Sequence, residues 1–273
     1  MAQQSPVMIW VVGDNTNVGK TTISAALIRA LNAGGKATIG FKPYAGARLM
    51  DALSLLEEIA AGDGFLAGRD VRKLAEASPL MPNEWLEVAN PSWRLTHPVR
   101  DAAVFLRKGA AAIGRRSFFH TCNAKACLSR DDFQHLNKFM RLPLESTLSI
   151  QDMPADQLDF SDQDVQRASF NRLLTLNPDI VVCEGAGRLL PVWNGAPAVR
   201  HLLFISAGDL YLFPNLGIRI PEGQSSFGPY SIGAILQYLK GKPHIKAPIP
   251  LLHPSALDAE MDVFIQQFAK GCF

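Results

Sequence analysis

The feature that most constrains this chain is an apolar run that leads directly into a glycine-bearing loop and then into a helical pattern. Residues 7–12 (VMIWVV) are continuously apolar and rich in β-branched side chains, as is typical of a parallel strand covered on both faces. After the loop 13–19, residues 21–32 (TTISAALIRALN) place apolar side chains at helical spacing before a stop at Gly34-Gly35. With a second short strand predicted at 37–41, the first forty residues predict a βαβ unit and therefore an α/β fold.

The loop itself has the composition of a phosphate-binding loop. It reads GDNTNVGKTT from Gly13, so five residues separate Gly13 from Gly19, and Asp14 stands where a strict G-x-x-x-x-G-K-[ST] motif has glycine. The chemistry is nevertheless present, because successive backbone N–H groups and the N-terminus of the following helix attract an anion. Lys20 can reach the β- and γ-phosphates and Thr21 can bind Mg²⁺, so the loop predicts phosphate binding.

The later chain extends the same architecture. Ser161-Asp162-Gln163-Asp164 has capping-box spacing before an apolar-periodic segment, and the apolar run 180–183 (IVVC) ends in a second glycine-bearing loop, EGAG at 184–187. Residues 108–160 lack strong periodicity and predict an irregular insertion. We therefore expect a mostly parallel, doubly wound sheet of the P-loop NTPase type, in a single domain over residues 1–273.

Composition and charge exclude several functional classes. Lys and Arg number 27 against 25 Asp and Glu, a net charge of +2, which is too close to neutral to predict a nucleic-acid or anionic-membrane binder. No stretch approaches the roughly 18 consecutive apolar residues of a membrane helix, and the run at 7–12 lacks the basic flank of a signal peptide. Four unevenly spaced cysteines fit reduced thiols, so we expect a cytoplasmic protein.

Four motifs together resemble the dethiobiotin synthetase family. The run GDNTNVGKTTISAALIRAL is followed by Phe41-Lys42-Pro43, then Asp51-Ala52-Leu53, then CEGAGR at 183–188. That family has a G-T-x-T-x-V-G-K-T loop, a K-P after the second strand, a D-A at the next helix and E-G-A-G after a later strand. The resemblance covers residues 7–60 and 160–195. It implies an ATP- and Mg²⁺-dependent ligase of biotin biosynthesis, a small-molecule substrate and a homodimer.

The resemblance also implies a set of site residues. Those surrounding the triphosphate would be Gly13, Asn15, Thr16, Asn17, Val18, Gly19, Lys20, Thr21 and Thr22. Mg²⁺ would be bound by Thr21, Asp51 and Glu184, three hard oxygen donors of the kind this ion prefers. Lys20, Lys42 and Thr16 would be catalytic, since two lysines beside one phosphoryl group stabilise the charge of a loose transition state.

Local alternatives remain for two of these residues. Asp51 also fits a solvent-facing carboxylate in the first turn of a helix. Lys42 also fits a surface lysine that lies along Pro43. Glu184 directly follows a buried strand, which places it at the carboxyl edge of the sheet where doubly wound folds bind ligands.

The chain departs from the family pattern on the substrate side. Tyr44-Ala45-Gly46 follows Lys42-Pro43 where the family continues V-A-S-G, and the segment 96–99 keeps only the proline of S-P-H. Asn215 is a weak match to the asparagine that reads adenine. The leading expectation is thus a ligase that activates a carbamate or carboxylate for attack by an amine. The alternatives are a nucleotide-dependent switch or assembly ATPase that binds a protein partner, and a degenerate nucleotide-binding homologue.

Overall fold

The computed structural model describes residues 5–48, 69–82, 86–96, 103–109, 118–123, 148–151, 163–187, 190–191, 193, 195–206, 208–219, 237, 239–251 and 254–270. The described helices are α1 (Lys20–Ala33), α2 (Arg69–Glu76), α3 (Leu86–Ala89), α4 (Gln163–Leu174) and α5 (Leu257–Lys270). The described strands are β1 (Val7–Gly13), β2 (Thr38–Phe41), β3 (Tyr44–Arg48), β4 (Ser92–Thr96), β5 (Ala103–Gly109), β6 (Phe118–Asn123), β7 (Leu148–Gln151), β8 (Ile180–Glu184), β9 (Val199–Ser206), β10 (Asp209–Phe213) and β11 (Ile245–Pro248).

A mostly parallel sheet of six strands forms the centre of the described chain, in the order β11-β10-β9-β1-β8-β2. The strands β9, β1, β8 and β2 are mutually parallel, whereas β10 is antiparallel to both of its neighbours. The predicted strands at 7–12, 37–41 and 180–183 and the predicted helix at 21–32 are confirmed as β1, β2, β8 and α1. The architecture is α/β and compatible with the P-loop NTPase fold. A single domain over residues 1–273 stays a prediction.

Alternate residues of β1 supply two separate hydrophobic cores. Met8, Trp10 and Val12 pack in one core with residues of α4, and Ile9 and Val11 pack in the other. The second core also contains the apolar faces of α1 and α5. Because successive side chains of a strand point to opposite faces, the continuous apolar run at 7–12 reflects helices on both faces of the sheet.

Strand β2 lies unusually close to helices α1 and α2. A Cβ on Gly40 would stand 3.0 Å from Ile28 of α1 and 3.0 Å from Leu74 of α2. The Gly40 N–H donates to the Ser78 hydroxyl just after α2, at 2.9 Å. Glycine in this strand therefore allows α2 to lie directly against β2, beside the carboxyl end of that strand.

A second sheet, in the order β3-β4-β5-β6-β7, takes up part of the region predicted as an irregular insertion. β3 pairs with β4 in parallel, β4, β5 and β6 pair antiparallel, and β6 pairs with β7 in parallel. The end of β5 and all of β6 and β7 fall within 108–160, so this region is not irregular throughout. Two of its pairings, β3 with β4 and β6 with β7, join short strands that are distant in sequence, which local periodicity does not reveal. None of the described helices is long and apolar enough to cross a membrane.

Candidate phosphate and metal site

The parallel strands bring their carboxyl ends to one edge of the sheet, and the site is built there. β1 ends at Gly13, β2 at Phe41, β8 at Glu184 and β9 at Ser206. In open α/β sheets, ligands bind outside the carboxyl ends of the strands. The two glycine-bearing loops of the sequence therefore start from neighbouring strands at one end of the sheet.

The loop between β1 and α1 is tightly folded. Asn17 has a φ of 58° and Gly19 a φ of 86°, both in the left-handed region. Gly13 lies so close to Val18 that an added Cβ would stand 2.6 Å from its Cγ2 atom. The left-handed residue at Gly19 turns the chain into α1, whose first turn contains no acidic side chain. The positive end of this helix is thus available to an anion.

Asp14, which departs from the strict motif, fastens the base of this loop to β9. Its backbone N–H donates to the Ile205 carbonyl at 3.2 Å, and its carboxylate accepts from the Ser206 hydroxyl at 2.5 Å. These two bonds hold the start of the loop to the neighbouring strand end. Asp14 therefore anchors the loop to β9.

Lys20 lies beneath the loop, with only 6% of its surface exposed. Its ammonium donates to the Asn15 backbone carbonyl, so the side chain spans the loop that carries it. Burial lowers the pKa of Lys20 below its usual value, although Glu184 works in the opposite direction. The charge is therefore close to the loop backbone and poorly hydrated, which strengthens its attraction for an anion.

Thr21, Lys42 and Glu184 meet at the strand ends. The Thr21 hydroxyl donates to Glu184 Oε1 at 2.8 Å, and the Lys42 ammonium donates to the same oxygen at 2.6 Å. The Lys42 and Glu184 side chains are only 5% and 1% exposed, so Lys42 is not a surface lysine along Pro43. Three residues from separate parts of the chain, each predicted from the sequence, are brought together.

The structure adds Asp70, which sequence reasoning missed. This residue lies in the first turn of α2, and its Oδ2 atom accepts from the Lys42 ammonium at 2.5 Å. Desolvation opposes its ionisation, but Lys42 and the nearby Thr21 lower the pKa of Asp70 below its usual value. Asp51, predicted as a metal ligand, lies outside the described residues. In the described chain, Asp70 supplies the second carboxylate of the site.

Buried hydrogen bonds hold the backbone of Lys42 in place. Its N–H donates to the Ala89 carbonyl at 2.8 Å, and the Asn90 side-chain amide donates to its carbonyl at 2.7 Å. The same amide also donates to the Ser92 carbonyl at 3.0 Å. Asn90 thereby joins the end of β2 to the start of β4 and positions the Lys42 side chain.

The second glycine-bearing loop, which begins after Glu184, lies beside the first. The Gly185 N–H donates to the Val11 carbonyl at 2.9 Å, and a Cβ on Gly187 would lie 3.5 Å from Thr16 Cγ2. Thr16 itself is exposed, and its N–H donates to the side-chain oxygen of the neighbouring Asn15 at 2.9 Å. The motifs at residues 13–22 and 183–187 therefore adjoin.

Thr22, also predicted to surround the triphosphate, faces a different neighbour. The Lys73 ammonium lies 3.3 Å from the Thr22 hydroxyl and also donates to Asp258 at the start of α5. This contact ties α1, α2 and α5 together beside the loop. The Thr22 side chain is thus engaged by a lysine in the structure, while its N–H stays in the first turn of α1.

The electrostatics of the site fit a hard divalent cation bound together with phosphate. Among the residues that the structure describes, no group of three or more His, Cys, Asp or Glu side chains could hold a metal. Thr21, Asp70 and Glu184 nevertheless offer oxygen donors, and the buried Oε2 atom of Glu184 has no hydrogen-bond partner in the described chain. Mg²⁺ usually takes few ligands from protein and keeps water and phosphate oxygens. The donor set fits that mode of binding.

Affinity for ADP is expected to fall as the pH rises, and the fall should begin at a lower pH than the one at which an ordinary lysine loses its proton. Burial lowers the pKa of Lys20, whereas Glu184 and Asp70, acting against desolvation, raise the pKa of Lys42. Phosphate needs the charged form, and Lys20 loses that form first as pH rises. In the alkaline range, the protein should take up a proton when it binds ADP. Calorimetry in buffers of different ionisation enthalpy measures this uptake.

Lys20→Arg is the matched control for this pH dependence. Its guanidinium stays protonated throughout the alkaline range. Whatever affinity this variant retains should therefore vary little with pH. An equal alkaline decline in the variant and the natural chain would show that another group is responsible.

Comparison with known proteins gives a short local match. No family model matches the chain. Over 54 residues it is 44% identical to the ATP-dependent dethiobiotin synthetase BioD 2 of Salmonella typhi, covering 17% of this chain and 23% of that protein. The match therefore spans less than a quarter of that relative's length. It supports a P-loop ATPase-like relationship.

Proposed function

We propose that this protein is an ATP- and Mg²⁺-dependent ligase that phosphorylates a carbamate or carboxylate oxygen and so activates it for attack by an amine. The observation that carries the proposal is the convergence of Lys20, Thr21, Lys42 and Glu184 at one edge of the sheet. The local match to an ATP-dependent dethiobiotin synthetase supports the same class of reaction.

The loop and Lys20 would bind the phosphates. The backbone N–H groups of the loop, other than that of Asp14, would together with the N-terminus of α1 provide a site for anionic oxygens, in which Asn15, Thr16, Asn17 and Val18 would surround the phosphate chain. Lys20 would exchange the Asn15 carbonyl for a phosphate oxygen, which satisfies its buried charge better than a neutral carbonyl does. Catalysis then rests mainly on positioning and on charge stabilisation.

Lys42 would contact the group that receives the phosphoryl unit. Its ammonium lies at the strand ends beside Thr21 and Glu184, and Asn90 holds its backbone. A second buried positive charge there stabilises the negative charge of the phosphoryl group during transfer. It also neutralises the acceptor carboxylate or carbamate, which would otherwise repel the phosphates.

Thr21, Glu184 and Asp70 are the residues we propose to hold Mg²⁺, with Asp51 as the further ligand implied by the resemblance. Magnesium, when bound, neutralises phosphate charge and orients the phosphate oxygens. Glu184 brings a buried oxygen without a hydrogen-bond partner in the described chain, and Asp70 brings a partly exposed carboxylate. We also propose a homodimer and a cytoplasmic location.

The residues expected to contact the substrate differ from the family pattern. The residues that follow Lys42-Pro43 form β3, and Tyr44 and Ala45 are buried there. Gly46 stands where the V-A-S-G pattern has serine, so the serine hydroxyl is missing. We therefore propose the reaction type for this chain and leave the identity of the amine open to the dethiobiotin synthetase substrate and its analogues.

Substrate-dependent release of ADP tests this proposal. Purified protein with ATP and Mg²⁺ is expected to form ADP faster when diaminopelargonic acid and bicarbonate are added. A panel of diamines and amino acids, each with bicarbonate or a carboxylic acid, extends the search. The Lys42→Met variant should bind ATP but show no substrate-dependent ADP. Turnover that no amine or carboxylate stimulates, or that Lys42→Met retains, contradicts the proposed reaction.

A further inference from the structure

The arrangement of Lys42 suggests a role beyond contact with a substrate. Its ammonium lies between two carboxylates, 2.6 Å from Glu184 Oε1 and 2.5 Å from Asp70 Oδ2. The Lys42 and Glu184 side chains are almost completely buried, whereas 52% of the Asp70 side chain is exposed. One fixed cation thus neutralises two carboxylates that belong to different elements, β8 and α2.

Two of the carboxylate oxygens that would bind a divalent cation already accept hydrogen bonds. Glu184 Oε1 accepts both from Lys42 and from the Thr21 hydroxyl, and Asp70 Oδ2 accepts from Lys42. Glu184 Oε2 is the buried carboxylate oxygen that has no partner in the described part of the chain. A cation entering alone would have to replace these donors while Lys42 stayed nearby.

Charge makes such an entry unfavourable. Lys20 and Lys42 balance Glu184 and Asp70, so these four groups sum to zero before any ligand binds. A divalent cation added to this set meets a buried ammonium at short range, where repulsion is weakly screened. Bound ADP or ATP would change this sum, because its phosphates would offer Lys42 a new partner in place of the carboxylates.

We propose that Lys42 is a built-in counter-cation that keeps the divalent metal out of the site until a nucleotide phosphate arrives. This inference rests on the proposed function and adds a regulation of the same site. The nucleotide draws Lys42 away from Glu184 and Asp70, and the metal takes its place on their oxygens. Binding of nucleotide and binding of metal are therefore positively coupled, each strengthening the other by the same factor.

Direct titration of Mn²⁺, followed by electron paramagnetic resonance, tests the coupling without any measurement of activity. Mn²⁺ is an oxygen-binding substitute for Mg²⁺. Mildly alkaline pH keeps Glu184 ionised, since burial raises the pKa of this carboxyl despite the opposing effect of Lys42. The natural protein should bind Mn²⁺ weakly alone and at least about tenfold more tightly with ADP.

Variants of Lys42 provide the decisive comparison. Lys42→Met, which removes the charge and keeps the length, should bind Mn²⁺ without ADP at least about tenfold more tightly than the natural protein. Lys42→Arg keeps the charge and should bind Mn²⁺ alone as weakly as the natural protein. Lys246→Met is the matched control, because it removes a lysine paired with a carboxylate, Asp209 at 2.8 Å, at the β10–β11 edge of the sheet. The affinity of Lys246→Met for Mn²⁺ without ADP should equal that of the natural protein.

Tight Mn²⁺ binding by the natural protein alone, equal to that of Lys42→Met, would overturn the inference. If Lys42→Met does not fold, ¹⁵N-lysine resonance spectra of the natural protein decide the question. The Lys42 ammonium signal, assigned by its loss in Lys42→Arg, should shift when Mg²⁺ and ADP are added together and stay in place with Mg²⁺ alone. A shift with Mg²⁺ alone contradicts the inference.

Failure of the proposed function gives a different result. If the natural protein binds neither ADP nor ATP in a calorimeter, the proposed ligase is wrong. A gain of Mn²⁺ binding in Lys42→Met would still show that Lys42 excludes the metal. Conversely, if nucleotide binding is normal and the natural protein and Lys42→Met bind Mn²⁺ with equal affinity, the counter-cation role of Lys42 is wrong and the proposed ligase function is unaffected.

Discussion

Replacement of Lys20 by alanine is expected to lower the affinity for ATP with Mg²⁺ by about two orders of magnitude. The Lys20 ammonium lies beneath the loop and contacts the Asn15 carbonyl, so it is already placed beside the backbone groups that would bind phosphate. Loss of a charge-assisted hydrogen bond from a poorly hydrated group costs about 3 kcal/mol, which corresponds to roughly a hundredfold in affinity. Isothermal titration calorimetry of the two proteins measures the difference directly.

The exposed Lys36, in the turn after α1, offers the control for this experiment. Lys36→Ala removes the same charge at a distance from the loop and should bind ATP as the natural protein does. Circular dichroism and thermal unfolding should show that Lys20→Ala keeps its fold, since Lys20 belongs to neither of the two hydrophobic cores. Equal ATP affinity in Lys20→Ala and the natural chain would reject the phosphate-binding loop itself.

Replacement of Glu184 by alanine is expected to lower the free energy of unfolding by about 3–5 kcal/mol, the usual result of removing one partner of a buried ion pair. Lys42 would keep its burial and lose its buried partner, with only the half-exposed Asp70 left beside it. The Thr21 hydroxyl would lose its acceptor as well. Urea denaturation, with a check that the slope is unchanged, measures this loss.

Two further variants separate the ion pair from simple truncation of a core side chain. In the double variant Glu184→Ala with Lys42→Met, no buried charge is left without a partner, and most of the lost stability should return. Asp70→Asn should cost no more than about 1 kcal/mol, because solvent screens a carboxylate that is half exposed. Losses of equal size in Glu184→Ala and Asp70→Asn, or no recovery in the double variant, would contradict the argument from burial.

Much of this site could be predicted because its parts are local in sequence. The apolar run at 7–12, the glycine-bearing loop and the helical pattern after it are contiguous, and they fold as β1, the loop and α1. Glu184 and Lys42 each follow a short apolar strand directly. Parallel strands bring their carboxyl ends to one edge of the sheet, so the sequence alone predicts that these two side chains converge.

Asp70 could not be predicted in the same way. An acidic residue in the first turn of a helix is common for reasons of helix electrostatics alone, so its position gives no signal of a site. Its role depends on the packing of α2 against β2, which the missing side chain of Gly40 allows. That contact joins residues about thirty positions apart, beyond the range of a periodicity argument.

The second sheet was missed for a related reason. Strands β3 to β7 are four to seven residues long, and long stretches of sequence separate β3 from β4 and β6 from β7. Short strands take much of their preference from cross-strand neighbours, which a local pattern does not contain. Residues 108–160 therefore lacked the periodicity that identified β1 and β8.

The central position of β1 has a consequence for the motions of the phosphate loop. The strand is hydrogen-bonded to β8 on one side and β9 on the other, and its two faces belong to different cores. We therefore expect its amide protons to exchange slowly with solvent, because the openings that expose them disturb packing on both faces of the sheet. The first residue of the loop, Gly13, is thus anchored in this strand, while the exposed Asn15 and Thr16 can rearrange around a ligand without disturbing it.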